Sequence, residues 1–202
     1  MLTAVLGLLA WVAPPQEPPP LVHSVCDLSQ SFTFYMDGRF HSQYLKEIGR
    51  DVRNWGSLEQ LELENVNLLV LTGGDPRIPY SEEAVARVDA FARGGGTLLL
   101  MADGADPMPP AVALVERYGA HLTTTRPQLP LSGPRSEIAV SFRAGCVLQL
   151  DVAWTPLVRD AEARPLLAKR AWGKGWIVLG SRGLFGQNPD ASDPINAEWV
   201  TP

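Results

Sequence analysis

Cysteine, histidine and clustered positive charge are all scarce in this 202-residue chain. Its two cysteines, Cys26 and Cys146, both sit in apolar, strand-like surroundings. A bridge between them is open to an exported chain, but an unpaired buried Cys is the commoner state of such a residue. None of His23, His41 and His121 stands at a recognisable spacing from Ser29, Ser31 or the Thr123–Thr125 run. That argues against a serine hydrolase, whose nucleophile needs an imidazole base. No run of Lys and Arg occurs and the net charge is -5, so a nucleic-acid surface is not expected, because phosphate binding needs a concentrated basic face. No apolar run reaches the roughly twenty residues that a membrane helix requires.

What is present describes an ordinary globular protein, 46% hydrophobic and 19% charged, with many turns implied by eighteen Pro and eighteen Gly. The start is set apart. "MLTAVLGLLAWVA" is uncharged and apolar and stops at "PPQEPPP". This suits the apolar region of a secretory signal followed by a proline-rich spacer, so residues 1–20 are assigned to export. Residues 21–202 then form one domain, placed in the periplasm or outside the cell.

The rest alternates between strand and helix patterns. "LVHSVCDLS" reads as a strand ending at Asp27, "DGRFHSQYLKEIGRDV" as a helix and "DVRNW" as a short strand. "VNLLVLTGGDP" is a continuous apolar run halted by turn residues, the mark of a buried strand. In "YSEEAVARVDAFARGGG", Ser81 suits an N-cap, two glutamates favour the first turn, and three glycines stop the helix. "TLLLMAD" predicts another buried strand, "PPAVALVERYG" a short helix and "AHLTTT" a strand. The second half, with "SEIAVSF", "CVLQLD", "PLLAKRAWG" and "WIVLGSR", reads as short strands, and Gly-Lys-Gly marks a hairpin. The expected fold is α/β: a mostly parallel sheet flanked by helices, a flavodoxin-like three-layer sandwich, with a hairpin-rich second half.

The succession "VNLLVLTGGDP", "YSEEAVARVDAFARGGGTLLLMAD" and "GKGWIVLGSRGLF" resembles class I glutamine amidotransferase-like domains over residues 22–188. In that family a Cys stands on a sharp turn after a central strand, and a His with a Glu follows a late strand. Here the turn reads Ala102-Asp103-Gly104 and the late strand runs into Ser181-Arg182-Gly183. The resemblance therefore implies a non-catalytic branch, with Arg182 where the base would stand and able to pair with Asp103.

The candidate site is the crevice where parallel strands end: Asp27, Gly73, Gly74, Asp75, Asp103, Gly104 and Arg182. Asp27, Asp75 and Asp103 each close a strand pattern, and clustered carboxylates suit Mg²⁺ or Ca²⁺. Asp is equally at home in strand-to-helix turns as an amide cap. No cofactor is expected. Trp154, Trp172, Trp176 and Trp199 offer either core packing or a surface for a sugar or a protein. The functional expectation is a non-enzymatic binding or scaffold domain with an unknown protein or carbohydrate ligand. The alternative is a metal-assisted hydrolase working from the acidic crevice.

Overall fold

The computed structural model describes residues 23–27, 51–56, 58, 63–71, 80–102, 109–133 and 145–181. Nine strands and two helices lie among them. The strands are β1 (His23–Asp27), β2 (Asp51–Gly56), β3 (Leu68–Leu71), β4 (Thr97–Ala102), β5 (Ala120–Leu122), β6 (Leu148–Leu150), β7 (Thr155–Arg159), β8 (Pro165–Trp172) and β9 (Gly175–Ser181). The helices are α1 (Glu82–Gly94) and α2 (Pro109–Arg117).

Seven strands form one sheet in the order β2-β1-β3-β4-β9-β8-β7. From β2 to β9 neighbours run parallel; β8 runs antiparallel to both β9 and β7. β5 and β6 make a separate antiparallel pair.

This corrects the expected flavodoxin-like sandwich. The described residues are rich in strand, with two helices, and the sheet is mixed. The physical cause lies in β4. Its two edges are taken by β3 and β9, so β5 finds no open edge there and pairs with β6 instead. After α2 the described chain returns through antiparallel strands rather than crossover helices. β7 was not foreseen, because Pro156 inside "TPLVR" argues against a strand; it is the last strand of the sheet, where a missing N–H is tolerated. The helix expected around Phe40–Ile48 and the strand expected in "SEIAVSF" lie outside the described residues.

Leu69, Leu71, Leu98, Leu100, Ile177 and Leu179 form one apolar cluster with Ala84, Val88 and Ala92 of α1, Leu114 and Val115 of α2, and Tyr118 just after it. The alternating Leu68, Val70, Leu99 and Val178 turn to the other face and are buried too. Burial on both faces explains why β3, β4 and β9 are continuous apolar runs. Each fully buried Leu contributes about 2 kcal/mol relative to exposure.

α1 begins where Ser81 accepts the N–H of Ala84 at 3.1 Å. It ends at Gly95, whose φ of 124° is disfavoured for a residue with a Cβ. This end meets the turn between β8 and β9. Lys174 N–H donates to the Arg93 carbonyl at 3.0 Å and Trp176 N–H to the Gly96 carbonyl at 3.1 Å. Gly175 lies so close that a methyl group there would collide with the carbonyl oxygens of Gly96 and Ala92. Neither obstacle is a side chain that could swing away. Gly175→Ala is therefore expected to cost about 2 kcal/mol, or about 4–8 °C in melting temperature for a chain this size. Thermal melts check this, and an unchanged melting point would mean that the helix end and the turn do not fit together this closely.

Candidate functional site

Register aligns the carboxyl ends of four strands. Asp27 partners Leu71, Leu71 partners Leu100, Leu100 partners Leu179, and Ala102 partners Ser181. The chain therefore leaves β1, β3, β4 and β9 along one edge, where parallel sheets commonly hold ligands. Asp27 is the last residue of β1 and is fixed here by its backbone pairing. Gly73, Gly74 and Asp75 follow β3, Asp103 and Gly104 follow β4, and Arg182 follows β9; these six lie outside the described residues. Among the described residues, no group of three or more His, Cys, Asp or Glu is placed to hold a metal.

Sequence reasoning missed one member of this edge. Ser181 ends β9, is fully buried, and accepts the N–H of Cys146 through its hydroxyl at 2.9 Å. It fastens the strand leading into β6 to the end of β9. Cys146 itself is fully buried.

The opposite, amino-terminal edge carries a charged and aromatic cluster. α1 presents Asp89 and Arg93 four residues apart, on one helical face. Asp89 accepts from Arg93 Nε at 2.7 Å and from Trp172 Nε1 at 2.8 Å, and Arg117 Nε lies 3.9 Å away. The Arg93 guanidinium sits 4.6 Å from the Trp172 ring centre and that of Arg170 5.1 Å from it. Tyr118 meets Trp172 edge to face at 5.2 Å.

Arg170 also caps the end of α2. Its Nη1 donates to the Tyr118 carbonyl at 2.6 Å and to Asp151 at 2.9 Å. Buried Trp154 donates to the same carbonyl at 2.9 Å. Two donors thus satisfy one of the carbonyls that a helix end leaves open. Trp154 packs in the core, half-buried Trp176 lies under Lys169 at 4.8 Å, and Trp172 anchors the cluster. Trp199 lies outside the described residues. His121 is exposed on β5, 3.8 Å from Glu116.

Among the described residues, two carboxylates are displaced from their ordinary titration range. Burial pushes Asp89 upward, but hydrogen bonds from Arg93 and Trp172 outweigh it and leave the carboxyl below the usual value. Asp160 behaves alike: burial raises it, and Arg164 with backbone N–H donors brings it down. Arg164 reaches it through Nε at 2.9 Å and Nη2 at 2.6 Å, while the N–H groups of Gln128, Glu162 and Arg164 point at the same carboxylate. The Tyr118 hydroxyl is pushed well above its usual range, first by burial and then by the charge on Asp89, and it has no partner among the described residues.

The fold these residues define is strand-rich, built on one mixed sheet. The chain belongs to the family described as Domain of unknown function (DUF4350), whose model matches residues 42–198. This family and the solved structures of similar shape overturn the resemblance to glutamine amidotransferase-like domains. Glycine turns beside apolar runs are common to many sheet proteins, and they carried that resemblance.

Among solved structures, the mmIFT52 N-terminal domain is similar, with a TM-score of 0.59 and 16% identity, over 82% of this chain and 88% of that one. Cytoplasmic Protein STM3548 from Salmonella typhimurium is similar with a TM-score of 0.58 and 10% identity, over 88% of this chain and 95% of that one. An exo-beta-1,4-mannosidase from Opitutaceae bacterium strain TAV5 is similar with a TM-score of 0.56 and 17% identity. That likeness covers 90% of this chain but spans only 35% of the mannosidase. No curated protein matches the chain in sequence.

The Asp160 clamp yields a test with a sign. A carboxyl depressed in the folded state stabilises above its unfolded pKa, and the contribution is lost as pH falls through the folded value. Asp160→Ala is expected to cost about 3 kcal/mol near neutral pH, because it strands donors around a buried site. The gap to wild type should narrow as the pH drops below the usual carboxylate range. Urea unfolding at several pH values checks this, and a gap that holds constant into acid would rule out the charge as its source.

Proposed function

We propose that this chain is a non-enzymatic binding or scaffold module for a protein or carbohydrate ligand. What supports it is the direction in which the displaced carboxylates among the described residues move. An acid or base working near neutrality needs its pKa brought toward neutrality. Asp89 and Asp160 are both drawn the other way by guanidinium and amide donors, as members of structural pairs. Ser181 is likewise spent on holding a backbone N–H. The similar structures bear on the fold alone, and one fold serves many functions. No helix among the described residues is long and apolar enough to cross a membrane. The apolar start before "PPQEPPP" supports export to the periplasm or beyond; recovery of a shortened chain from that compartment, with its new N-terminus sequenced, checks this, and an intact N-terminus in the cytoplasm would end it.

A metal-assisted hydrolase is the second reading. Its support is the register that brings Asp27 and the ends of β3 and β4 to one edge, with Asp75 and Asp103 next along the chain. Titrating wild type, Asp27→Ala and Asp103→Ala with Mg²⁺ and Ca²⁺, while following the melting temperature, separates the two. The binding module predicts no shift in any of them. A rise in wild type that either substitution abolishes would favour the hydrolase.

A further inference from the structure

The cluster at the amino-terminal edge carries more cation than it neutralises. Arg93 and Arg170 lie against Trp172, Arg117 lies near Asp89, and Lys174 stands in the adjoining β8–β9 turn, against the carboxylates of Asp89 and Asp151. The cations are not all consumed. Arg93 engages Asp89 through Nε at 2.7 Å, leaving its two terminal nitrogens without a hydrogen-bond partner among the described residues, and its side chain is 56% exposed. Arg117 lies 3.9 Å from Asp89, beyond hydrogen-bond length, and is 50% exposed. Lys174 is exposed at the tip of the β8–β9 turn, where its N–H fixes it to the end of α1. Two guanidinium forks and an ammonium beside a half-buried Trp have the composition of a recognition surface, in which Arg and Trp carry much of the binding energy.

Charge decides the kind of partner. The whole chain has a net charge of -5, so a dense polyanion would be repelled over most of the surface. The cluster has a local excess of only two cations, four side chains less two carboxylates, far short of the many phosphate contacts that hold a nucleic acid. Glu116, exposed next to Arg117, limits the positive area further. What fits is a short segment with a few carboxylates for the arginine forks and the lysine.

We propose that the face formed by Arg93, Arg117, Lys174 and Trp172 is a docking surface for an acidic peptide segment of a partner protein. This rests on the binding-module reading and goes beyond it by assigning the partner's chemistry and by placing it at the edge opposite the strand-end crevice. The Arg93 guanidinium is pre-positioned by Asp89, so less of its side-chain freedom remains to be lost on docking.

The probe is a short dye-labelled peptide of alternating Glu and Leu, followed by fluorescence anisotropy with the full chain. The same peptide with Lys in place of Glu and a labelled sulfated polysaccharide form the other arms. The acidic peptide is expected to bind, to weaken as salt rises, and to lose about tenfold or more in affinity in Arg117→Glu/Lys174→Glu. Both positions are exposed and outside the core, but a Glu at 117 faces Asp89 and the carboxyl end of α2, so a modest drop in melting temperature is expected for the charge reversal. Arg117→Gln/Lys174→Gln should fall between and covers the case in which charge reversal disturbs folding. Unchanged affinity in both variants, equal binding of the Lys peptide, or binding of the polysaccharide alone would overturn the assignment. Such a failure would not touch the binding-module reading, which the Mg²⁺ and Ca²⁺ titration tests at the other edge.

Discussion

The contact that the described structure depends on is backbone against backbone, where the glycines ending α1 meet the glycine opening β9. Gly175 approaches the carbonyls of Ala92 and Gly96 so closely that no side chain fits between them. The neighbouring N–H groups of Lys174 and Trp176 donate to the same stretch. This clasp seats β9, from late in the chain, in register beside β4. Two consequences follow, one at the far end of β9 and one at the end of β8 that pairs with its start. Ser181 arrives beside Ala102 at the carboxyl edge, and Trp172 arrives against Asp89 and Arg93 at the amino edge. Both candidate surfaces are set by one steric fit.

The charges in the described structure follow a common pattern. Asp160 is almost wholly buried and is surrounded by donors. Asp89 is half-hidden between helix and hairpin and receives one guanidinium and one indole N–H. A buried ion costs several kcal/mol to desolvate and is tolerated where its lone pairs are all engaged. Such residues fix where segments lie. Among the described residues of the Asp89 cluster, Arg93 and Arg117 stay about half exposed.

The legible parts of the sequence were those with strong local signals. The apolar runs of β3 and β4, the Ser81 cap and glycine stop of α1, and the Gly-Lys-Gly turn are all placed where their residues indicate. What escaped depends on partners distant in sequence. The apolar pattern of β5 gives no sign that β9 already occupies the edge it would need. Pro156 concealed β7, since its fit there depends on the strand lying at the end of the sheet. Trp172 and Asp89 are joined across 83 positions, and no motif announces that pairing. The resemblance to an amidotransferase-like fold came from turns and apolar runs, which many sheet proteins share, and the DUF4350 family match corrects it. At the candidate site, Asp27 sits at a strand end as read, and Ser181 reads only as the end of the late strand because its role needs Cys146 brought beside it.

β7 closes the main sheet on one side, and an outermost strand normally offers unpaired backbone groups to any passing chain. Here that offer is withdrawn at one end. Ser132 and Arg159 exchange reciprocal N–H to carbonyl bonds at 2.8 Å, and Ala161 N–H reaches the Gln128 carbonyl at 2.9 Å. The Asp160 carboxylate holds the Gln128 N–H in the same place. A loop of the protein itself thus occupies the position a foreign strand would take. Copies of this molecule crowded together meet a capped border there instead of an open ladder, and fibril growth through that part of the sheet has no template on which to start.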